Sequence, residues 1–315
     1  MTPLMSGTAH RLPFILDEVE VRRVERLSPS FVRVELGSPA LADFGVDGPL
    51  WDQRIKLVFP GSSGRLPSFA GADESWYATW LDIPAEERGH MRTYTVRDVV
   101  GTGTDTRLVV DLVLHLVDGA SGPGSRWAAT ARPGDRLVMI APRRGEAFGG
   151  IEFVPGGAQR LLLVGDETAV PAVSAILEQL PAGARGTAFL EVPETGDVLD
   201  LDGPVGVEVV WLPRDDAPLG ERLHAAVVTH LGAPAERPEV AADEIDPNLW
   251  ETPTYSSSGE EVAESPSAHG DLYAWIAGES GVVTGLRRHL VRGLGIDRRQ
   301  VAFMGYWRQG VAMRS

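Results

Sequence analysis

The chain has 315 residues, which is about twice the commonest domain size of roughly 100 to 150 residues, so two domains are predicted. Hydrophobic residues make up 43% and charged residues 23%, which excludes the composition of a disordered chain. The net charge of −15 argues against binding to nucleic acid or to anionic membranes, because a negative surface repels phosphate. The absence of cysteine excludes disulfides, thiolate catalysis and cysteine-held metal centres, and no metal site is predicted.

The N-terminal segment lacks a basic stretch followed by a long apolar run, and no long apolar run occurs later in the chain. We therefore expect no membrane insertion and a cytoplasmic location.

The first half of the chain predicts short strands. From Phe31 to Leu36 apolar residues alternate with charged ones, which is the period of a half-buried strand. Clusters of Gly, Pro, Ser and Asp separate this run from similar ones, which indicates an antiparallel barrel or sandwich. The other predicted strands are Ile55 to Phe59, Arg92 to Arg97, Leu108 to His115 and Asp135 to Ile140.

The periodicity changes near residue 160. The apolar run Leu161 to Val164 is followed by a tight turn and then by apolar residues at helical spacing from Val170 to Leu180. Strands and helices alternate from there to Met304, which predicts a parallel sheet with helices on both faces and ligands at the carboxyl ends of the strands. The other predicted elements are strands at Thr187 to Val192, Val207 to Leu212, Leu272 to Ala277 and Val301 to Met304, and helices at Glu221 to Leu231 and Val282 to Leu294.

The predicted domains are a β-barrel over residues 1–155 and an α/β domain over residues 156–315. Between about residues 234 and 270 the sequence is acidic and rich in Pro and Ser. Such a composition buries too little apolar surface to offset the entropy of ordering, so a surface loop or partly disordered insertion is expected.

The predicted strand with Arg92, Tyr94 and Thr95 has the side chains that a flavin needs. A guanidinium suits a phosphate, an aromatic ring suits the isoalloxazine, and a hydroxyl suits the reactive flavin edge. An ordinary strand with an exposed arginine and a packed tyrosine is the alternative.

A Gly-rich turn that opens a short helix follows, at Gly122, Ser125 and Trp127 in the segment GPGSRWA. Backbone N–H groups at a helix start suit a pyrophosphate. The alternative is a simple turn in which Ser125 is the helix N-cap, and both interpretations are compatible.

The ordered motifs RTYTVR, VLH, GPGSRWA, RPGDRL, LLLVGDETAVPAVSAILEQLP, WIAGE and GYWRQG resemble the siderophore-interacting protein family, a branch of the ferredoxin-reductase-like flavoproteins. The resemblance runs from about Val19 to Gly310. It implies a flavin-binding antiparallel barrel, a nicotinamide-binding α/β domain and FAD as the flavin.

Carried over from the family, Arg92, Tyr94 and Thr95 match its flavin strand, with Tyr94 and Thr95 as the candidate catalytic residues. His115 matches a histidine of the flavin site, and Gly122, Ser125 and Trp127 match the pyrophosphate turn. The chain departs from the family between Leu116 and Ser121, where the family has a shorter turn with glycine directly after the histidine. A buried structural histidine is therefore the alternative for His115.

In the second half, the turn after the first parallel strand matches the place where the family's nicotinamide nucleotide approaches. A strand-to-helix turn at the carboxyl end of a parallel strand is also where such sheets bind nucleotides. Glu191, at the end of the next strand, is a candidate for a ribose hydroxyl, with a solvated glutamate as the favoured alternative. The candidate residues of the two turns are Gly165, Asp166, Glu167, Thr168, Gly278 and Glu279.

The substrate that the resemblance implies is a ferric siderophore. Such chelates present hard, often anionic oxygen atoms, so a basic pocket near the flavin is required. Lys56, the only lysine of the chain, and Arg308 lie inside family motifs, and Arg143 or Arg144 lies where the family often has a basic residue. Each is alternatively a surface charge.

The resulting hypothesis is a hydride transfer from NADH or NADPH to the flavin, followed by one-electron reduction of siderophore-held Fe(III). Two alternatives stay open. One is a general flavin or electron-transfer reductase with ferredoxin as the donor, and the other is a protein that binds flavin or an iron chelate without turnover.

Overall fold

The computed structural model describes residues 11–116, 121–232, 250–252, 255–256 and 270–310. The described residues form two sheets that follow one another along the chain. The first sheet is antiparallel and the second is mostly parallel, as the change of periodicity near residue 160 predicts.

The first sheet has seven strands in the order β4-β3-β7-β1-β2-β6-β5. It curls into a half-barrel, and the chain that leaves β4 bonds to the other end of the sheet through Arg97 N and Val109 O. The strands are β1 Phe14–Arg26, β2 Phe31–Gly37, β3 Arg54–Phe59, β4 His90–Thr95, β5 Asp98–Val100, β6 Arg107–Val113 and β7 Arg136–Pro142.

Every second residue of each strand points to the inner face of this half-barrel, and most of these residues are apolar. Two short helices lie against the sheet, α1 at Trp76–Asp82 and α2 at Pro123–Ala128. The buried inner residues include Val34, Leu36, Ile55, Leu57, Leu108, Val110, Leu137 and Met139.

The second sheet also has seven strands, in the order β10-β9-β8-β13-β14-β11-β12. Five neighbouring strands are parallel: β10, β9, β8, β13 and β14. Strand β11 runs antiparallel to β14. The strands are β8 Arg160–Gly165, β9 Gly186–Val192, β10 Val207–Pro213, β11 Trp250–Thr252, β12 Tyr255–Ser256, β13 Leu272–Glu279 and β14 Val301–Trp307.

Helices cover both faces of the second sheet, as predicted. Helix α3 (Val170–Gln179) packs on one face, and helices α4 (Glu221–His230) and α5 (Ser280–Arg287) pack on the other. A turn of π-helix over Arg288–Gly293 continues α5. None of the described helices has the length and hydropathy that a membrane crossing needs.

The predicted loop between residues 234 and 270 is wrong for its described parts, because β11 and β12 fall within it. Glu251 of β11 is buried and pairs with Arg287, with 2.6 Å between Oε2 and Nε. Most of the remaining segment lies outside the described residues. A composition rich in charge and proline gives no signal for strands as short as these, because each has only two or three residues.

The two sheets are held together by buried polar contacts. Asp197, which follows β9, accepts hydrogen bonds from the Ser28 hydroxyl at 2.6 Å and the Ser30 hydroxyl at 2.8 Å. Asp52, which precedes β3, accepts a hydrogen bond from Trp275 Nε1 of β13 at 3.0 Å. These contacts hold the half-barrel against the second sheet.

Candidate functional site

The first part of the candidate site is an aromatic group at the end of the half-barrel. Tyr94 of β4 and Trp127 of α2 both pack edge-on against Phe59, with ring centroids 5.8 and 5.4 Å away. The Tyr94 hydroxyl lies against Gly124, where a Cβ atom would be 3.3 Å from Cζ and closer still to the oxygen. Only glycine at residue 124 therefore lets the tyrosine seat against α2.

Several cations lie near the start of β4, on the strand face that also carries Tyr94, because His90, Arg92 and Tyr94 are alternate residues. Burial lowers the pKa of His90, and three nearby guanidinium groups lower it further; they belong to Arg92, Arg126 and Arg88. All of the charged groups that act on His90 are cations, which is the environment that a diphosphate stabilises. The described residues here therefore fit the pyrophosphate of a flavin nucleotide.

Helix α2 begins differently from the prediction. Its N-cap is Gly122, which has no side chain to cap the helix, so the interpretation of Ser125 as the N-cap is wrong. The Ser125 hydroxyl instead donates to Val113 O at 3.0 Å and accepts from His115 N at 3.1 Å. Ser125 thus fixes the chain that leaves β6, while the space beside Gly122 is open, with no other described atom near its Cβ position.

Strand β4 presents its candidate residues on two opposite faces. Tyr94 pairs across the ladder with Ile55 of the inner face, whereas Thr95 pairs with Arg54 on the outer face. Thr95 is 7% exposed. A threonine hydroxyl can donate one hydrogen bond and accept others, which suits a polar ligand atom at this position.

The second part of the site is the carboxyl edge of the parallel sheet, where the turn after β8 meets the end of β13. Asp166 is buried and accepts four hydrogen bonds, from the Thr168 N–H and hydroxyl, Glu279 N and Trp307 Nε1. Burial, and then the charge of Glu167, raise the pKa of Asp166 to about 6. Gly278 allows this approach, since a Cβ atom there would lie 2.6 Å from Asp166 Oδ2.

Other residues of the edge are used for local structure. A Cβ atom at Gly165 would overlap that of Ala169, so glycine is needed for the tight turn. The Glu279 carboxylate accepts from Gly281 N at 2.7 Å and Val282 N at 3.0 Å, so it caps α5. The Asp166 and Glu279 side chains therefore shape the edge rather than point away from it.

An ion-paired group joins the two parts of the site. His115 Nε2 lies 2.9 Å from Glu167 Oε1, and Arg214 binds the same carboxylate with two nitrogens, at 2.6 and 3.0 Å. Burial alone would raise the pKa of Glu167, but the hydrogen bonds from His115 and Arg214 outweigh it and lower this pKa to about 2. The His115 ring also packs 4.8 Å from that of Trp307.

The surroundings of Glu191 match neither of its predicted roles, a ribose-binding glutamate or a solvated one. It is fully buried and accepts hydrogen bonds from Gly220 N at 2.8 Å and Leu223 N at 3.2 Å, at the start of α4. Its carboxylate also lies 3.3 Å from Arg214. It is therefore neither solvated nor open to a ribose hydroxyl.

The three candidate substrate residues differ in exposure and in their hydrogen-bond partners. Lys56 is exposed on the outer face of β3, and its ammonium donates to Thr93 Oγ1 at 2.7 Å. Arg308 follows β14 and is half-buried. Arg143 differs from the prediction of a substrate-binding residue. Its guanidinium donates to Leu12 O, Phe14 O and Asp43 Oδ2, at distances of 3.1, 3.1 and 2.7 Å, so its donors serve the first sheet.

Sequence reasoning missed four contributors: Arg214, Trp307 and two of the arginines near His90, Arg88 and Arg126. Arg214 and Trp307 stand at the ends of β10 and β14, so an inspection of the ends of all the parallel strands would have found them. No comparable signal marks Arg88 and Arg126, because only the fold brings them to Arg92. Within the described ranges, no three His, Asp or Glu side chains group as ligands for a metal.

Comparison with known proteins is consistent with this architecture. Residues 20–146 match the siderophore-interacting FAD-binding domain, and residues 158–310 match the siderophore-interacting protein model. The chain is 33% identical to an uncharacterized protein of Mycobacterium tuberculosis over 94% of its own length and 91% of the relative. It is 29% identical to the ferric vibriobactin reductase ViuB of Vibrio cholerae, over 97% and 93% of the two chains.

Among solved structures, the siderophore utilization protein from T. fusca matches with a TM-score of 0.67 and 29% identity, over 96% of this chain and 97% of the other. A ferredoxin reductase of carbazole 1,9a-dioxygenase matches with a TM-score of 0.56 at 16% identity, which shows the fold alone. The fold is therefore that of the ferredoxin-reductase-like proteins. The chain belongs to the siderophore-interacting protein family.

Proposed function

We propose that this protein uses FAD to reduce Fe(III) held by a siderophore, with NADH or NADPH as the electron donor and with release of the iron in the cytoplasm. The observation that carries the proposal is the group of cations around His90 at the start of β4, which includes Arg126 of α2, the helix that also contacts the Tyr94 hydroxyl. The name of the relative ViuB, a ferric vibriobactin reductase, supports the reaction.

In this proposal Arg92 and the open backbone at Gly122 hold the pyrophosphate, while Tyr94 and Trp127 pack near the ring system. Thr95, which is buried, offers its hydroxyl to the reactive edge of the ring. Ser125 acts indirectly, because its hydroxyl holds the chain at His115. The bound flavin would accept a hydride and pass on single electrons.

The turns at Gly165 to Thr168 and at Gly278 to Glu279 form the edge that the nicotinamide approaches. Their side chains are bonded within the protein, so their contribution is the shape of the edge. Lys56 and Arg308 would attract the ferric chelate, and we leave Arg143 out because its donors are occupied. We further propose residues 1–155 and 156–315 as the two domains, which the two family matches support.

The proposal is tested with protein loaded with FAD, a ferric siderophore and an Fe(II)-specific chelator under anaerobic conditions. We expect Fe(II) to form with NADH or NADPH; formation only with reduced ferredoxin would assign a protein donor instead. Arg92→Ala should weaken FAD binding roughly 10-fold or more, the effect of losing one charged hydrogen bond. Arg136→Ala is the matched control, because this arginine is exposed and pairs only with Glu18 among the described residues.

FAD binding by Arg92→Ala as tight as that of the control would place the pyrophosphate elsewhere. A protein that forms no Fe(II) with any donor would contradict the reductase proposal.

A further inference from the structure

We propose that His115 is the base that takes up the proton which the reduced flavin must release, and that Glu167 and Arg214 position it for this transfer. The proposal rests on the proposed function. It assigns a proton path on the barrel side of the site.

The stoichiometry of the proposed reaction requires such a base. One NADH and two siderophore-held Fe(III) ions give NAD⁺, two Fe(II) ions and one proton. The hydride brings two electrons and one proton to the flavin N5 atom, and the two Fe(III) ions take only the electrons. The N–H bond at N5 must therefore break, and its proton must reach solvent through an acceptor.

The structure places His115 close to the proposed flavin position. Two consecutive residues of α2 contact both residues: Gly124 lies against the Tyr94 hydroxyl, and Ser125 Oγ accepts the His115 backbone N–H at 3.1 Å. Because neighbouring Cα atoms are only about 3.8 Å apart, the Tyr94 hydroxyl and the His115 backbone meet the same turn of α2.

The histidine is held on one nitrogen and open on the other. Its Nε2 atom is 2.9 Å from Glu167 Oε1, whereas Nδ1 has no hydrogen-bond partner within the described ranges, and the side chain is 32% exposed. Since an ionised carboxylate only accepts hydrogen bonds, Nε2 carries a proton, and in the neutral imidazole Nδ1 is then the acceptor. A proton arriving at Nδ1 gives an imidazolium whose charge faces Glu167.

The groups around the pair keep Glu167 charged beside the histidine. The hydrogen bonds from His115 and Arg214 overcome the effect of burial and hold the pKa of Glu167 at about 2, so the carboxylate stays ionised. The other charged groups facing the pair are Asp166, next in the chain, and Glu191, which also contacts Arg214. Trp307 packs on the ring without a charge and limits its rotation.

The test uses His115→Ala loaded with excess FAD and reduced by light, so that no nicotinamide is needed. The flavin is then reoxidised by a ferric tris-hydroxamate or ferric tris-catecholate siderophore, whichever oxidises the wild type faster. We expect reoxidation to slow about 100-fold, which is the usual effect of losing a general base. Added imidazole should raise the reoxidation rate of His115→Ala at least about tenfold. The slow reaction of this variant should also show a larger solvent deuterium isotope effect than that of the wild type.

Glu167→Gln keeps the histidine but removes the charge, so we expect a smaller loss of about tenfold with no rescue by imidazole. The FAD dissociation constant, read from flavin fluorescence, separates impaired binding from impaired proton transfer. His230→Ala is the control, because His230 is exposed at the end of α4.

Two results would overturn the inference while leaving the proposed function intact: wild-type reoxidation by His115→Ala, or a loss that imidazole does not restore. If the wild-type flavin itself is not reoxidised by either ferric siderophore, the proposed function fails and the inference fails with it.

Discussion

Replacing Gly124 with alanine tests the geometry of the proposed flavin site. The new methyl group would overlap the Tyr94 hydroxyl oxygen and lie 3.3 Å from Cζ and 3.6 Å from Phe59 Cε2. The overlap with the hydroxyl oxygen is far inside the optimal nonbonded separation of about 3.5 Å, so either the tyrosine or the helix must move by more than about 1 Å. Overpacking of this kind costs about 1–3 kcal/mol.

If the flavin ring packs on Tyr94 and its pyrophosphate lies at α2, the same displacement separates two parts of one binding site. An affinity loss of the same 1–3 kcal/mol corresponds to a roughly 5- to 150-fold rise in the FAD dissociation constant. We would measure this constant by flavin fluorescence and the melting temperature by calorimetry. Gly183→Ala is the matched control, because its Cβ position has no described atom within 4 Å and its φ is not positive.

The double variant Gly124→Ala/Tyr94→Phe removes the overlapping oxygen and should recover most of the stability, since the next distance, to Cζ, is 3.3 Å. The reasoning is refuted if Gly124→Ala binds FAD and melts like the wild type. It is also refuted if the double variant is no more stable than Gly124→Ala.

Three further predictions follow from the second sheet and the substrate face. Arg214→Ala should lower the free energy of unfolding by about 3 kcal/mol, because the buried Glu167 carboxylate loses its guanidinium partner and keeps only the contact with His115. The pKa of Glu167 is lowered from 4.5 to about 2, so its contribution to the free energy of unfolding is complete above pH 4.5 and disappears as the pH falls toward 2. Denaturant titrations should therefore show a smaller difference between wild type and Arg214→Ala at pH 3 than at pH 7. Gly278→Ala should lose about 2 kcal/mol in the same assay, since φ is +145° and the methyl group would meet Asp166; a wild-type midpoint would contradict this. Lys56→Ala should raise the concentration of ferric siderophore needed for half-maximal rate several-fold without changing flavin reduction by NADH, and stopped-flow absorbance separates the two steps.

The architecture of this protein follows closely from its sequence. The alternation in Phe31 to Leu36 and the helical spacing after Val170 identify the two kinds of sheet, and the structure confirms the order of the elements. Strand β1 was not predicted, although it has 13 residues, because its charged side chains interrupt the apolar alternation. Only pairing with both β2 and β7 makes it a strand.

Less of the site could be predicted, because its contacts join residues far apart in the chain. Glu167 was predicted at the correct turn, but its partners His115 and Arg214 lie 52 and 47 residues away. Glu191 shows the same limit, since nothing local indicates that α4 will bury its carboxylate. A motif therefore locates a turn, whereas the tertiary contacts decide whether its side chains face a ligand or the protein.

The most direct test of the proposed reductase is the visible spectrum of the FAD-loaded protein under anaerobic conditions. NADH and NADPH are added in separate samples, and a ferric siderophore is then added to each. We predict that the flavin band near about 450 nm bleaches with at least one nicotinamide and returns when the siderophore is added, with two Fe(II) formed per NAD(P)H. A band that neither nucleotide bleaches, or that stays bleached with the ferric siderophore, would contradict the proposed function.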